Sequence, residues 1–429
     1  MTSVAEIGEA QRETWDARAT TVLRVALAGC GAVGSALLRE IVARRGALAR
    51  NHGIEIVLAR VLVRDVNRRR DAEFDTSLLT NDVDEFLRTH ADIVIEAIGG
   101  FDPALHIAET VLGRGQPLIT ANKLLLAARG THLSALARRT GATLRYDAAV
   151  GGGVPVLRVL DDALGAGGPS RVRGILNGTA NFVLTQLEEG ETYDGALDAA
   201  RLAGFAEADA SRDLDGRDAA DKLALIAWAA FGVAPEALPV RRASLLPDPA
   251  RYVQLAERLG ASVRHVAECA LGSDGVVASV EPVLVAPASS LGRTRDEGNH
   301  VDVFAGWRAP LCASGPGAGG LPTATALLSD LVCTGTAPRR HGGTSIAAHD
   351  RREFHWALEV RAEPATLYRC VPKCGFVRTD ADATLSWTIV ENATPGDISI
   401  ILHALEALGA SPVAARLDDA SLCRGEVLS

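Results

Sequence analysis

The chain has 429 residues, 48% hydrophobic, 23% charged and only 4% aromatic, a soluble globular composition with room for two or three domains. Its formal net charge of −9 excludes a general nucleic-acid binder, because no basic excess is available to neutralise phosphates. No run approaches the roughly 18 apolar residues that cross a bilayer, and Met1 to Thr20, polar and mixed in charge, lacks the order of a secretory signal; no membrane partner is expected.

In chain order, Val22 to Ala28 is a short apolar run ending at Gly29, followed by helical spacing from Val33 to about Arg44. Ile56 to Val63 and Ile93 to Glu96 read as strands, Pro103 to Gly113 as a helix and Pro117 to Thr120 as a strand. Thr131 to Thr140 reads as a helix and Ala142 to Tyr146 as a strand. This alternation predicts an α/β fold with a doubly wound, Rossmann-type parallel sheet over residues 20–150.

The pattern changes after Val150. Val172 to Leu176 looks like a strand, and helical segments follow at Phe182 to Glu189, Tyr193 to Ala203 and Asp218 to Phe231. Beta-like pieces return at Val276 to Val285 and His300 to Ala305, so a second, α+β domain is expected over 151–309. A glycine cluster, Gly315 to Gly320, precedes a helical stretch from Thr323 to Val332; residues 310–334 are expected to rejoin the first domain. Loop-like sequence from Gly335 to Asp350 then separates a small α+β tail at 350–429. The seven cysteines are irregularly spaced, and Cys370 with Cys374 has no second pair to complete a metal site. They read as free thiols of a reduced, cytoplasmic protein.

Gly29-Cys30-Gly31-Ala32-Val33-Gly34 fits GxGxxG between a strand and a helix. There the glycines allow a tight turn and let a pyrophosphate reach the helix N-terminus, so a dinucleotide is expected. The second strand ends at Val63-Arg64-Asp65. Arg64 suits a 2′-phosphate and Asp65 a ribose hydroxyl, so NADP is favoured with NAD as the alternative. The loop Glu96 to Gly100 and the segment Thr120-Ala121-Asn122-Lys123 each follow a strand, at the edge where such sheets bind ligands.

Lysine occurs only at Lys123, Lys222 and Lys373, the other basic residues being arginine. A retained lysine suits a position where an ammonium must exchange a proton, which a guanidinium cannot do. Ala200 to Lys222 is rich in acids: Glu207, Asp209, Asp213, Asp215, Asp218 and Asp221. With Asp218 opening a helix, Lys222 lies at i+4 on the same face. An amino-acid substrate accounts for this mixture, carboxylates holding its ammonium and lysines serving its carboxylate and carbonyl oxygen.

These residues carry a family resemblance. Ala200 to Asp209 followed by Asp213-Leu214-x-Gly216-x-Asp218-x-x-x-Lys222 resembles the homoserine dehydrogenase signature. The chain is similar to that family again at Ala121-Asn122-Lys123, Val150 to Pro155, Leu176 to Asn181 and Gly315 to Ala324, in order from about Val22 to Asp330. The resemblance implies reversible NAD(P)-dependent hydride transfer between aspartate β-semialdehyde and L-homoserine, in the branch leading to threonine, methionine and isoleucine. It implies Lys222 as proton donor with Lys123 as its partner beside nicotinamide and substrate. Glu207, Asp213, Asp218, Gly178 and Thr179 would serve the amino acid; Gly29, Gly31, Ala32, Val33, Gly34, Arg64, Gly99, Lys123 and Gly319 would serve the cofactor. A monovalent cation, sodium or potassium, would be held by Asp147, Val150, Gly152 and Val154. Residues 20–150 would then bind the dinucleotide, 151–309 would bind substrate and dimerise, and the protein would be a homodimer or homotetramer.

Asp147 stands where the family usually has Glu, and Ala210 and Ala180 replace a usual Pro and Thr. The tail from His355 to Leu417 has the strand and helix order of an ACT domain but lacks its Asp-Lys-Pro-Gly turn, so a degenerate ACT-like domain without threonine sensing is expected. The alternative is a catalytically silent paralogue that binds NADP or threonine; Lys123, Asp218 and Lys222 argue against it.

Overall fold

The computed structural model describes residues 21–70, 74–165, 167–306, 309–335, 347, 350–371, 378–379 and 385–418. The N-terminal segment, Lys373 and Cys374 lie outside them. The chain divides into two compact units, one reaching Pro155 and resuming at Ala318, the other beginning at Val156 and including the tail. Among the described residues no helix is long and apolar enough to cross a membrane.

In the first unit, β1 (Thr21–Ala28), β2 (Ile54–Leu62), β3 (Leu79–Thr80), β4 (Ile93–Glu96), β5 (Leu118–Thr120) and β6 (Leu144–Arg145) form a parallel sheet. Its order is β3-β2-β1-β4-β5-β6, the doubly wound Rossmann arrangement. Residues alternate along β1, so Val25 and Leu27 join one core cluster and Ala26 and Ala28 another. The first cluster includes Leu37 of α1 (Ala32–His52) and Leu327 of the returning helix Gly320–Val332. The second includes Ile107 of α2 (Ala104–Gly113) and Leu133 of α3 (Lys123–Thr140). Helix α3 begins well before Thr131, where the sequence predicts its start. Asn122 caps it by accepting the Leu125 amide at 3.1 Å, and Gly130 is buried inside it.

The second unit is built on a ten-stranded mixed sheet ordered β12-β11-β7-β9-β10-β16-β13-β15-β14, with β8 pairing β10. Its first six strands in chain order are β7 (Arg171–Ile175), β8 (Val240–Arg242), β9 (Ser262–Gly272), β10 (Gly275–Val285), β11 (Gly298–Phe304) and β12 (Leu311–Pro316). Strand β9 is not legible in the sequence, because Arg264 and Glu268 interrupt its apolar pattern. Both are buried and paired: Arg264 with Glu188 at 2.7 Å, Glu268 with Arg352 at 2.7 Å and Arg416 at 3.2 Å.

The tail supplies β13 (Phe354–Val360), β14 (Arg378–Thr379), β15 (Ser386–Ala393) and β16 (Pro412–Leu417), with helices Pro364–Cys370 and Pro395–Ala407. This is a βαββαβ order in the spatial order β16-β13-β15-β14, a ferredoxin-like arrangement. Its last strand also runs parallel to β10, pairing Val283 with Arg416 and Leu284 with Leu417, so the tail continues the sheet that holds β7 to β12. Buried ion pairs cross that junction. Arg416 reaches Glu281 at 3.6 Å as well as Glu268, while Arg251 and Arg258 reach Glu359 of β13 at 3.3 and 2.6 Å. Burial alone would raise the Glu268 carboxyl, but Arg416, Arg352 and Arg171 hold it at about 2.

Candidate active site

The carboxyl ends of β1 and β4 meet at the point where the first unit's strand order reverses, the usual crevice for a nucleotide. Gly29 has φ +100° there, and a Cβ on it would stand 2.5 Å from the Ala97 carbonyl oxygen. A Cβ on Gly34 would meet the Gly29 oxygen at 2.1 Å. The outer glycines are thus required by the chain's own packing. Gly31 differs: a Cβ there would have nothing within 4 Å, so the middle of the loop is open to an approaching group. Gly31 also precedes α1 and provides no side-chain cap, and the first turn, with Ala32 and Val33, carries no acid. Uncapped amides at an N-terminus suit an anion, which fits a pyrophosphate here.

Arg64 is exposed just beyond the end of β2. Asp65 is engaged in the turn itself, its Oδ1 accepting the Asn67 amide at 2.9 Å and its carbonyl accepting Arg70 Nη2 at 2.5 Å.

Glu96, at the end of β4, is fully buried. Burial raises its pKa, against the opposing hydrogen bonds of Thr120, Ile98 and Asn122. Thr120 Oγ1 donates to Oε2 at 2.5 Å and the Ile98 amide to Oε1 at 2.8 Å. Asn122 Nδ2 donates to the Gly100 carbonyl at 2.6 Å while Asn122 Oδ1 caps α3. One buried carboxyl and one asparagine therefore tie the loop bearing Gly99 (φ +73°) to the first residue of α3, Lys123. The sequence places this loop near a ligand without assigning Glu96 or Asn122 a role.

In the second unit, Asn177 follows β7 and caps helix Gly178–Glu188, its Oδ1 accepting the Ala180 amide at 2.8 Å. Its Nδ2 donates to Asp213 Oδ1 at 2.7 Å and to Asp218 Oδ2 at 2.9 Å. Asp218 Oδ2 also lies 2.9 Å from Lys222 Nζ, one turn on in helix Arg217–Phe231. The same ammonium donates to the Leu176 carbonyl at 2.8 Å, and the Lys222 side chain is only 12% exposed. Gly216, which precedes this helix, has φ +81°, and a Cβ there would press on His265 and Val280 at 3.0 Å, so only glycine fits.

Of the other residues singled out in the sequence, Thr179 is buried and donates to the Phe205 carbonyl at 2.6 Å. Gly178 lies so close to Glu297 that a Cβ would reach its carbonyl oxygen at 2.7 Å. Glu207 is exposed on the loop that precedes Asp213. Gly319 has φ +109° and precedes helix Gly320–Val332. Asp147 is buried, its amide donating to Asp330 Oδ2 at 3.1 Å, and Gly152 nearby has φ +57°. Asn177, like Glu96 and Asn122, is a residue to which the sequence reading gave no role; its signal is an asparagine at a strand-to-helix junction, three residues before the amide it caps.

Two family models match the chain: homoserine dehydrogenase over residues 155–332 and homoserine dehydrogenase, NAD binding domain, over residues 29–147. The homoserine dehydrogenase of Bacillus subtilis is 33% identical over 314 residues, 72% of each chain. The crystal structure of a homoserine dehydrogenase from Thiobacillus denitrificans superposes with TM-score 0.82 at 26% identity, covering 93% of this chain and 99% of that one. A hyperthermophilic archaeal homoserine dehydrogenase, in complex with NADPH, shares the fold at TM-score 0.58 and 24% identity, covering 73% of this chain and 98% of that one. The two-unit architecture, the nucleotide loop and the Asp218–Lys222 pair thus occur in a chain that belongs to the homoserine dehydrogenase family, nicotinamide-dependent oxidoreductases.

Proposed function

We propose that the chain interconverts L-homoserine and aspartate β-semialdehyde, with Lys222 moving the proton at the substrate oxygen. The observation that carries this reading is the setting of Lys222, whose ammonium is held by Asp218 at 2.9 Å and the Leu176 carbonyl at 2.8 Å in a mostly buried position. A group fixed in this way presents one proton in one direction, as general acid–base work on a developing alkoxide requires. Lys123, at the start of α3, supplies a second cationic group for the substrate oxygen or its proton. Asp213 and Asp218, gathered by Asn177, orient the substrate's ammonium together with Glu207, and Gly178 and Thr179 shape the wall of that pocket.

When bound, the nicotinamide cofactor supplies or takes up the hydride. Gly29, Gly31, Ala32, Val33 and Gly34 would hold its pyrophosphate, with Gly99 and Gly319 at the loops beside it. Arg64 favours the 2′-phosphate of NADP, since Asp65 is engaged in its own turn. A monovalent cation at Asp147 and the carbonyls of Val150, Gly152 and Val154 is part of the same reading, supported by the burial of Asp147 and the left-handed turn at Gly152. So are a homodimeric or homotetrameric state, a degenerate ACT-like tail, a cytoplasmic setting and a place in threonine and methionine biosynthesis.

Steady-state oxidation of homoserine, followed by the absorbance of reduced nicotinamide with NADP and with NAD in parallel, tests the reading. Turnover with homoserine and preference for NADP are expected. Binding of NADP or threonine without turnover would instead identify a silent paralogue.

A further inference from the structure

A cluster of ligand-bearing side chains lies on strands β11 and β12. His300 and Asp302 are two residues apart on β11 and so share one face of the sheet. Cys312, on the edge strand β12, stands directly opposite Asp302 in the register. His300 Nε2, a carboxylate oxygen of Asp302 and Cys312 Sγ lie within 4.8 Å of one another. Two of these atoms converge on the third: Asp302 Oδ1 is 2.7 Å from His300 Nε2 and accepts the Cys312 thiol at 3.1 Å. The other oxygen, Oδ2, accepts Arg173 Nε at 3.2 Å and the Ser290 hydroxyl at 3.3 Å, which fixes the carboxylate's orientation. His300 and Asp302 are buried while Cys312 opens to solvent, so an ion has a way in.

We propose that His300, Asp302 and Cys312 form a binding site for a borderline-soft divalent cation of the zinc type, completed by water on the solvent side. One nitrogen, one oxygen and one sulfur donor suit zinc and not calcium or magnesium, which take oxygen shells. Zinc bonds of about 2.0–2.3 Å in a tetrahedron hold ligand atoms roughly 3.3–3.6 Å apart. The present contacts of 2.7 and 3.1 Å are hydrogen bonds, so an ion that displaces those protons spreads the ligands by about half an ångström.

The Cys312 thiol donates its proton to Asp302 Oδ1, and zinc takes cysteine as the thiolate, so metal binding releases that proton to solvent. The cation's charge then meets one carboxylate and one thiolate, while Arg173 keeps its second partner, Asp418. The bound ion straps the edge strand to its neighbour.

Zinc titration of the full chain, stripped with chelator and competed against a chromophoric chelator, tests this. One equivalent is expected to bind, with release of about one proton per ion near pH 7. Cys312→Ser, at an exposed position outside the substrate and cofactor residues, should keep homoserine turnover and the unfolding temperature of the metal-free chain. It should lose at least about 100-fold in zinc affinity. Cobalt should give a thiolate-to-metal charge-transfer band in the unaltered chain and none in Cys312→Ser. Equal zinc affinity in the two chains would place the ion elsewhere and overturn the proposal. So would failure of the unaltered chain to take up an equivalent, which leaves an Arg173–Asp302 ion pair with three added hydrogen bonds, from His300, Cys312 and Ser290.

Discussion

Asn122 and Asn177 do the same local job in the two units and differ in what their other end holds. Each sits between a strand and a helix, and each caps the helix with Oδ1, at 3.1 and 2.8 Å. Asn122 turns its amide nitrogen to the Gly100 carbonyl, joining two loops that already share the buried Glu96. Asn177 turns its nitrogen to two carboxylates, Asp213 and Asp218, and through Asp218 to Lys222. The first arrangement mainly fixes backbone, its nitrogen reaching the Gly100 carbonyl at 2.6 Å and Glu96 only at 3.5 Å; the second fixes two carboxylate side chains. A cap contributes about 1 kcal/mol in either place, so the functional difference lies in the second partner.

The largest expected effect tests the charged end of that contrast. Lys222→Arg keeps the positive charge beside Asp218 but cannot give up a proton, and turnover should fall on the order of 10² or more with cofactor affinity largely kept. Lys123→Arg should behave similarly, with a larger rise in the homoserine KM, and Lys373→Arg is the silent control. Near-normal turnover of Lys222→Arg with an unchanged pH profile would assign the proton to water instead.

The two asparagines can then be compared directly. Asn177→Ala removes the amide that donates to both Asp213 and Asp218, and the homoserine KM should rise about tenfold, the effect of roughly one lost charge-assisted hydrogen bond. Asn122→Ala should lower kcat by a smaller factor and leave that KM nearly unchanged. Identical profiles for the two variants would reduce both to generic helix caps.

Glu268 provides a third test, on stability. Its folded pKa of about 2 lies below the ordinary carboxyl value of 4.5. Its contribution is therefore fully present above pH 4.5 and is lost as the pH falls from there towards 2. Acid unfolding of the chain should show a component in that window that Glu268→Gln removes at the cost of lower stability at pH 7, read by circular dichroism. Loss of the tail strand should act similarly, since Arg416 is the partner that β16 brings to Glu268.

Smaller effects concern specificity and regulation. Arg64→Ala should raise the KM for NADP about tenfold, as loss of a charged hydrogen bond would, and leave NAD use nearly unchanged. An unaltered NADP KM takes Arg64 out of the site. Threonine at millimolar concentration should leave turnover unchanged, because the tail lacks the family's ligand turn; strong inhibition would show that a different turn serves.

The local part of this protein was legible without coordinates. Alternating strand and helix periods give the doubly wound sheet, because each period reports which face of an element is buried. The glycine loop was legible because close backbone approach leaves only glycine at Gly29 and Gly34. Lys222 and Asp218 were legible because an i+4 spacing on a helix is itself a spatial statement. Tertiary structure alone decided the rest. Strand β9 carries buried charges whose partners, Glu188, Arg352 and Arg416, lie far away in sequence, so no local pattern marks it. Strand β16 pairs with β10 as well as β13, a choice made by sheet-edge hydrogen bonds that leave no trace in composition. Asn177 gathers two aspartates that follow it by 36 and 41 residues, and only the packing of the short helix Ser211–Leu214 against helices Gly178–Glu188 and Arg217–Phe231 brings one amide nitrogen within reach of both.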